Sequence, residues 1–433
     1  MTIDSARRAL LALAAAALTA GVLGACSEKL SSGAACPSLC PSQNVTVLDT
    51  TIDPITVDTS IVGYPAKGQE GFLLVANRGS ALQTRAVVRF DTLVTKYVPK
   101  TGDTAVAITK VLASKVRLSL DTTGSVVTAP VTVDVYDVDT SAPSDYDDAA
   151  TLALFTPARR IGSATFAVAD AKDSLLVPIS DSAVLSKIVG NKRLRLGFAV
   201  TSSAEAQLKI FSIAAGTTLG PQLRYDATDT TDSVGKTSVA PSSASPAGLP
   251  GIASALRDYT INVNGPRPLE SDAIGVGGLP ARRTYLRFDV PLWLLDSSTV
   301  VRAALLLTQR PVHGSVDSLT AVNVVGNTVL AATDLTDIAR AATVLSADSL
   351  YGVTTLALAP RDSGVRVMEL GGLLRAWRTT ASTVKTQHAI VLRSSGEGVA
   401  GGEVRFFSTS AAADTLRPRL RVTYVPRVDF GVP

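Results

Sequence analysis

An internal repeat restricts this 433-residue chain more than any other feature. "VVRFD" at 87–91 returns as "YLRFD" at 285–289, "LKIFS" at 208–212 as "VRFFS" at 404–408, and "PQLRY" at 221–225 as "PRLRV" at 418–422. The offsets, 196 to 198 residues, are nearly constant and the matches keep their order. The chain is therefore a tandem duplication, and whatever one copy folds into, the other should repeat. Within each copy the pattern is that of short strands. Val131, Val133 and Val135 alternate with Thr132, Asp134 and Tyr136, and Val116, Leu118 and Leu120 alternate with Arg117 and Ser119. Such alternation gives each strand one apolar and one polar face. Late in each copy the period becomes helical. Leu370, Leu373, Leu374 and Trp377 fall on one face in the second copy, as do Leu185, Ile188 and Val189 in the first.

Strands follow both helices, in "RLRLGFAV" and "HAIVLRS". Many short strands with one short helix per unit predict an all-β protein: two tandem jelly-roll-type antiparallel β-sandwiches behind a flexible N-terminal tether. Valine and threonine richness with only 5% aromatic residues agrees with that class. The predicted units are 45–226 and 255–425. A polar, Pro/Ser/Gly-rich linker, 227–254, separates them, and a short tail, 426–433, ends the chain.

The N-terminus reads as an address. Arg7 and Arg8 precede an apolar run from Ala9 to Ala25, which suits a secretory signal peptide over 1–25 and falls short of the ~20 residues a spanning helix needs. Leu23-Gly24-Ala25-Cys26 resembles the lipobox of bacterial lipoproteins. That resemblance implies a diacylglycerol on the Cys26 thiol, an acylated amino terminus and stable attachment to a membrane of the bacterial cell envelope. Ser27 stands where lipoproteins retained at the inner membrane carry aspartate, so the resemblance favours the outer membrane. Residues 26–44 read as a lipidated tether. Cys36 and Cys40 within it are candidates for a local disulfide outside the cytoplasm.

Three stretches carry a family resemblance. "AIGVGGLPARRTYLRFDVPLWLLDSSTVVRAALLLT", "RFFSTSAA" and "LRPRLRVTYV" resemble the DNRLRE domain over 255–425 and, more weakly, over 45–226. The hexapeptide that names that family is absent from both copies. The resemblance implies secreted or surface β-sandwiches similar to a carbohydrate-binding module. The "RFD" motif itself reads as structure: Phe90 and Phe288 in the core, Arg89 and Arg287 toward solvent, Asp91 and Asp289 opening a turn.

Chemistry-bearing patterns are few. A formal charge of +4, dispersed along the chain, is no nucleic-acid footprint. His313 lies in a turn and His388 opens a strand, no G-x-S-x-G elbow occurs, and no catalytic residue stands out. Asp137, Asp139 and Asp145, with Asp147 and Asp148, could offer calcium hard oxygen ligands, although their spacing is not that of an EF-hand and a solvated acidic loop is the alternative. No other cofactor is indicated. Arg405, Arg417, Arg419 and Arg421 lie on the last two strands, and on one face they would attract an acidic polysaccharide. Trp293 and Trp377 sit in apolar contexts and promise no aromatic platform. The reading is a non-catalytic, membrane-anchored envelope lipoprotein that binds carbohydrate through its second sandwich. The alternatives are a structural lipoprotein that contacts other envelope proteins and, third, a polysaccharide-cleaving enzyme.

Overall fold

The computed structural model describes residues 46–99, 103–139, 147–228, 235–243, 256–328, 353–380 and 388–427. Two strands open it, β1 (Leu48–Ile52) and β2 (Ile55–Tyr64). Next come β3 (Phe72–Arg78), β4 (Leu82–Phe90), β5 (Lys96–Tyr97), β6 (Val106–Ala107), β7 (Leu112–Ser119), β8 (Val126–Val127) and β9 (Val131–Asp137). After helix α1 (Asp148–Leu152) come β10 (Arg160–Phe166) and β11 (Ser174–Pro178), and after α2 (Asp181–Val189) come β12 (Leu194–Ser202), β13 (Ala206–Phe211), β14 (Gln222–Asp226), β15 (Lys236–Val239) and β16 (Asp258–Asn262). The second half has β17 (Ala273–Gly277), β18 (Ala281–Phe288), α3 (Leu292–Asp296), β19 (Ser298–Arg310), β20 (Val322–Thr328), β21 (Leu356–Leu358) and β22 (Gly364–Glu369). It ends with α4 (Gly371–Thr380), β23 (Ala389–Ser394), β24 (Glu403–Phe407) and β25 (Arg419–Pro426). All strand pairs in the sheets are antiparallel, and the protein is all-β.

Two lobes result. In the first, the sheet β10-β9-β12-β4-β3-β13-β8, with β16 also on β4, packs on the sheet β11-β7-β14-β15. The alternating residues read from the sequence supply this core, including Val116, Leu118, Val131, Val133 and Val135. Each such side chain taken out of water stabilises the lobe by about 1.5–3 kcal/mol. In the second lobe the strands run β1-β25-β19-β24-β17-β18-β23-β20-β21, with β2 on β18 and β22 on β19. The face Leu370, Leu373, Leu374 and Trp377 seals its core as expected. In α2 the buried positions are Val184 and Ile188, while Val189 at the helix end is exposed.

The chain path crosses the boundaries read from the sequence. β1 and β2 fall within the first unit read from the sequence, 45–226, yet they pair with β25 and β18 in the second lobe. β15 and β16 hold the corresponding places in the first lobe, on β14 and β4. Local hydrogen bonds repeat this equivalence. Ser60 Oγ bonds Thr284 Oγ1 (2.8 Å) and accepts from Gly275 N (2.9 Å), while Thr284 Oγ1 donates to Gly275 O (2.7 Å). In the other lobe Thr260 Oγ1 accepts from Leu74 N (3.0 Å) and Thr84 Oγ1 donates to Leu74 O (2.8 Å). Asp58 accepts from Thr409 N just as Asp258 accepts from Ile213 N. The first lobe thus runs without interruption from β3 to β16, and the second is closed by strands from the start of the chain. Among the described residues two segments cross between lobes, 65–71 and 263–272. Part of the expected linker is consequently structure: 236–239 form β15, and Ser242 exchanges backbone hydrogen bonds with Arg89 and Asp91.

Two further expectations change. Phe90 and Phe288 are buried as read, but Arg89 is buried too, because Asp91 takes its Nη2 at 2.7 Å and Arg195 also reaches that carboxylate at 3.2 Å. A paired guanidinium can sit where a lone one could not. Trp293 is 46% exposed, since α3 turns Leu294 and Leu295 inward instead. Cys26, Cys36, Cys40 and Asp145 lie outside the described residues. Among the described residues no helix is long and apolar enough to cross a membrane.

Candidate ligand cleft

Both crossing segments meet at one place, and a cavity of ≈ 370 Å³ opens there. The first segment supplies Pro65, Lys67 and Glu70, and the second supplies Gly265 and Pro266. Tyr64 at the end of β2, Asn262 at the end of β16, and Leu279 and Pro280 before β18 complete most of the wall. Asn262 Nδ2 donates to the carbonyls of Leu279 and Gly265, which ties the second crossing to the hairpin ahead of β18. Gly398 closes another side. Its φ is +76°, and a Cβ there would stand 2.7 Å from Pro65, so the wall approaches this closely only with glycine. A second cavity of ≈ 200 Å³ shares Asn262, Gly265, Pro266, Leu279 and Pro280 with the first.

Lys67 of the first crossing pairs with Asp148 of α1, and its ammonium lies 5.0 Å from the centre of the Tyr259 ring. Glu70 is almost fully buried, and its Oε2 accepts from Gly68 N at 2.5 Å. Burial pushes its carboxyl up to about 7, against the pull of the Glu70, Gly68 and Thr260 amides, and Asp258 nearby adds to the rise. Burial likewise pushes Asp258 up to about 6. Its Oδ2 accepts from Ile213 N at 2.7 Å while Oδ1 is buried without a partner. Behind Tyr64 its hydroxyl meets that of Tyr285 (2.8 Å), Arg283 stacks on its ring at 3.9 Å, and Glu397 grips Arg283 with both oxygens (2.8 and 2.7 Å). Burial raises the pKa of both phenols.

Apart from Asp148, which lines the cleft, the described residues singled out in the sequence lie elsewhere. Arg405 is buried between Glu403 (2.6 Å) and Glu270 (2.8 Å). Arg417 pairs with Asp414 and donates to Ala411 O, Arg419 donates to Thr415 O, and Arg421 pairs with Asp49 at 2.9 Å. Three of these four cations therefore lie beside carboxylates, and the fourth donates to a nearby backbone carbonyl. Asp137 and Asp139 both bond Lys187 at 3.1 Å, Asp139 also holds Arg193, and Asp147 caps α1. Among the described residues no group of three or more His, Cys, Asp or Glu is placed to hold a metal ion. His388 stacks on Trp377 at 5.0 Å, and burial lowers its pKa. His313 is exposed in its turn. No motif marked Lys67 or Glu70, and Asp148 stood out only as part of the acidic stretch read for calcium; their partnership depends on where the chain crosses between lobes.

No family model matches the chain, and no curated protein matches it. Among solved structures, one match is to the T=1 particles derived from infectious bursal virus, at 9% identity and a TM-score of 0.09, over 87% of this chain and 76% of that one. A likeness of that size carries no argument about fold or function.

Proposed function

We propose that this is a non-catalytic cell-envelope protein, held to a membrane through a lipid on Cys26, that binds carbohydrate in the cleft between its lobes. The observation that carries the reading is the composition of the cleft: apolar walls from Tyr64, Pro65, Pro266, Leu279 and Pro280 beside one ammonium–carboxylate pair, Lys67–Asp148. A sugar ring has the same two aspects, C–H faces that favour apolar contact and hydroxyls that need a donor and an acceptor side by side. Pockets of this size with few convergent polar groups are the usual form of small-ligand sites. The pair is neutral overall, which suits a neutral glycan better than the acidic polymer that the outer arginines suggested. Lyase chemistry run by a tyrosyl base is disfavoured, because burial drives the Tyr64 and Tyr285 phenols away from the low pKa that such a base requires.

The test is affinity electrophoresis of the whole protein in gels with neutral or uronic-acid polymers, at low and raised salt. Retardation in neutral gels, unaffected by salt and lost in Lys67→Ala and Asp148→Asn, is the expected result. Retardation only in acidic gels and only at low salt would return the site to the arginines. No retardation in any gel would leave a structural role, which the closing of one lobe by the chain's first strands already favours. In parallel, Cys26→Ser should move the protein from the membrane fraction to the soluble one. A variant that still partitions with membranes would remove the lipid anchor from the reading.

A further inference from the structure

The closure of the second lobe fixes where the N-terminal tether leaves the folded body. β1 is held against β25 along its whole length, with Leu48 opposite Tyr424. The Tyr424 ring meets Trp293 edge-on at 5.3 Å. Around this point large apolar side chains face solvent: Val47 (56% exposed), Leu48 (38%), Leu292 (52%) and Trp293 (46%). Val301 is also exposed, beside Val300, the pairing partner of Tyr424. Two ion pairs lie beside them, Arg421 with Asp49 and Arg302 with Glu369, and Arg375 donates to Val301 O. Exposed apolar clusters at one spot mark a contact surface. Tryptophan in particular favours the boundary between hydrocarbon and water, where its ring is buried and its N–H stays wet.

We infer that this patch around Trp293 rests on the lipid surface, so that the protein stands with its second lobe against the membrane. The inference depends on the proposed anchor for the position of the membrane. Cys26 precedes Val47 by 21 residues, a reach of at most about 75 Å. A lipid on Cys26 would therefore hold the patch near the bilayer at an effective concentration in the millimolar range, where a weak interfacial contact is enough to orient the body. The exposed apolar side chains carry the contact, so it should form on phosphatidylcholine without anionic lipid.

The chain has two tryptophans, Trp293 exposed and Trp377 only 5% exposed, so fluorescence separates them. Protein beginning at Cys26 and carrying Cys36→Ser and Cys40→Ser is coupled through Cys26 to a maleimide phospholipid in phosphatidylcholine vesicles. This imposes the anchor, and the patch is tested whether or not the cell lipidates that residue. Vesicles with brominated acyl chains should quench a large part of the emission and blue-shift it relative to the uncoupled protein. Trp293→Phe, which leaves Trp377 as reporter, should show neither change. Equal emission in brominated and ordinary vesicles, with the protein floating alongside them, overturns the inference. So does a self-association, seen by sedimentation of the uncoupled protein, that disappears in Trp293→Phe, because the patch would then be covered by a second copy.

Discussion

Glu70 makes the stability of this protein fall as pH rises from 5 to 8. Its carboxyl titrates at about 7 in the folded protein, and an unperturbed glutamate titrates near 4.5. The folded state therefore holds a proton that the unfolded chain has already released over that interval. A group raised in this way contributes its full stability below about pH 4.5 and loses it as pH climbs through 7. At about 1.4 kcal/mol per pH unit of displacement, Glu70 alone removes on the order of 3 kcal/mol between pH 5 and pH 8. Asp258, raised to about 6, acts in the same direction and is spent by pH 7. Asp49, Asp121 and Glu270 have lowered pKa values, so they are ionised in both states above pH 5 and add no slope there. His388 opposes the trend below its unfolded value of about 6.5, because the unfolded chain then binds the proton that the buried ring refuses.

The assay is urea unfolding of the whole protein at half-unit intervals from pH 5 to 8, alongside Glu70→Gln. The variant keeps an oxygen for Gly68 N but cannot ionise. Between pH 5 and pH 8 the parent should lose about 3 kcal/mol more than the variant, about 1 kcal/mol of it above pH 6.5, and at pH 8 the variant should be the more stable of the two. Parallel pH profiles for parent and variant would refute the argument, since they would mean that the buried carboxylate is paid for by its three amides.

Two other outcomes follow from the packing. Trp377→Ala should cost about 3–5 kcal/mol in chemical denaturation, because the ring packs on Phe288 at 5.4 Å and under His388, and the void cannot be refilled by the strands around it. With the natural cysteines replaced by serine, Ser60→Cys combined with Thr284→Cys should form a disulfide in the folded protein, because these residues are direct partners across β2 and β18. Mass spectrometry after thiol alkylation reads the result, and two free thiols would show that β2 does not close the second lobe.

The elements that sequence made legible are those whose cause is local. Val131, Val133 and Val135 point inward because strand side chains alternate, and Leu370, Leu373, Leu374 and Trp377 share a face because a helix turns 100° per residue. Where the outcome depended on a distant partner, the reading failed. Arg89 looked like a solvent-facing strand residue, and its burial needs Asp91 and the strand that brings Arg195 beside it. The repeat showed that two similar units exist, but its matches lie in β4, β13 and β14, which belong to the same copy in sequence and in space. They say nothing about β1 and β2, which stand in the first unit along the chain but close the second lobe in space. Asp58-x-Ser60-Ile61 and Asp258-x-Thr260-Ile261 are alike for the same reason, each capping and bracing the lobe it closes, and that likeness is the trace a sequence search could have followed. The cleft inherits this difficulty. Lys67 and Glu70 come from one crossing, Pro266 from the other and Asp148 from a helix in the first lobe. Because both crossings line the cleft, a ligand seated there touches the two lobes together, and its binding depends on how β1 and β2 close the second lobe.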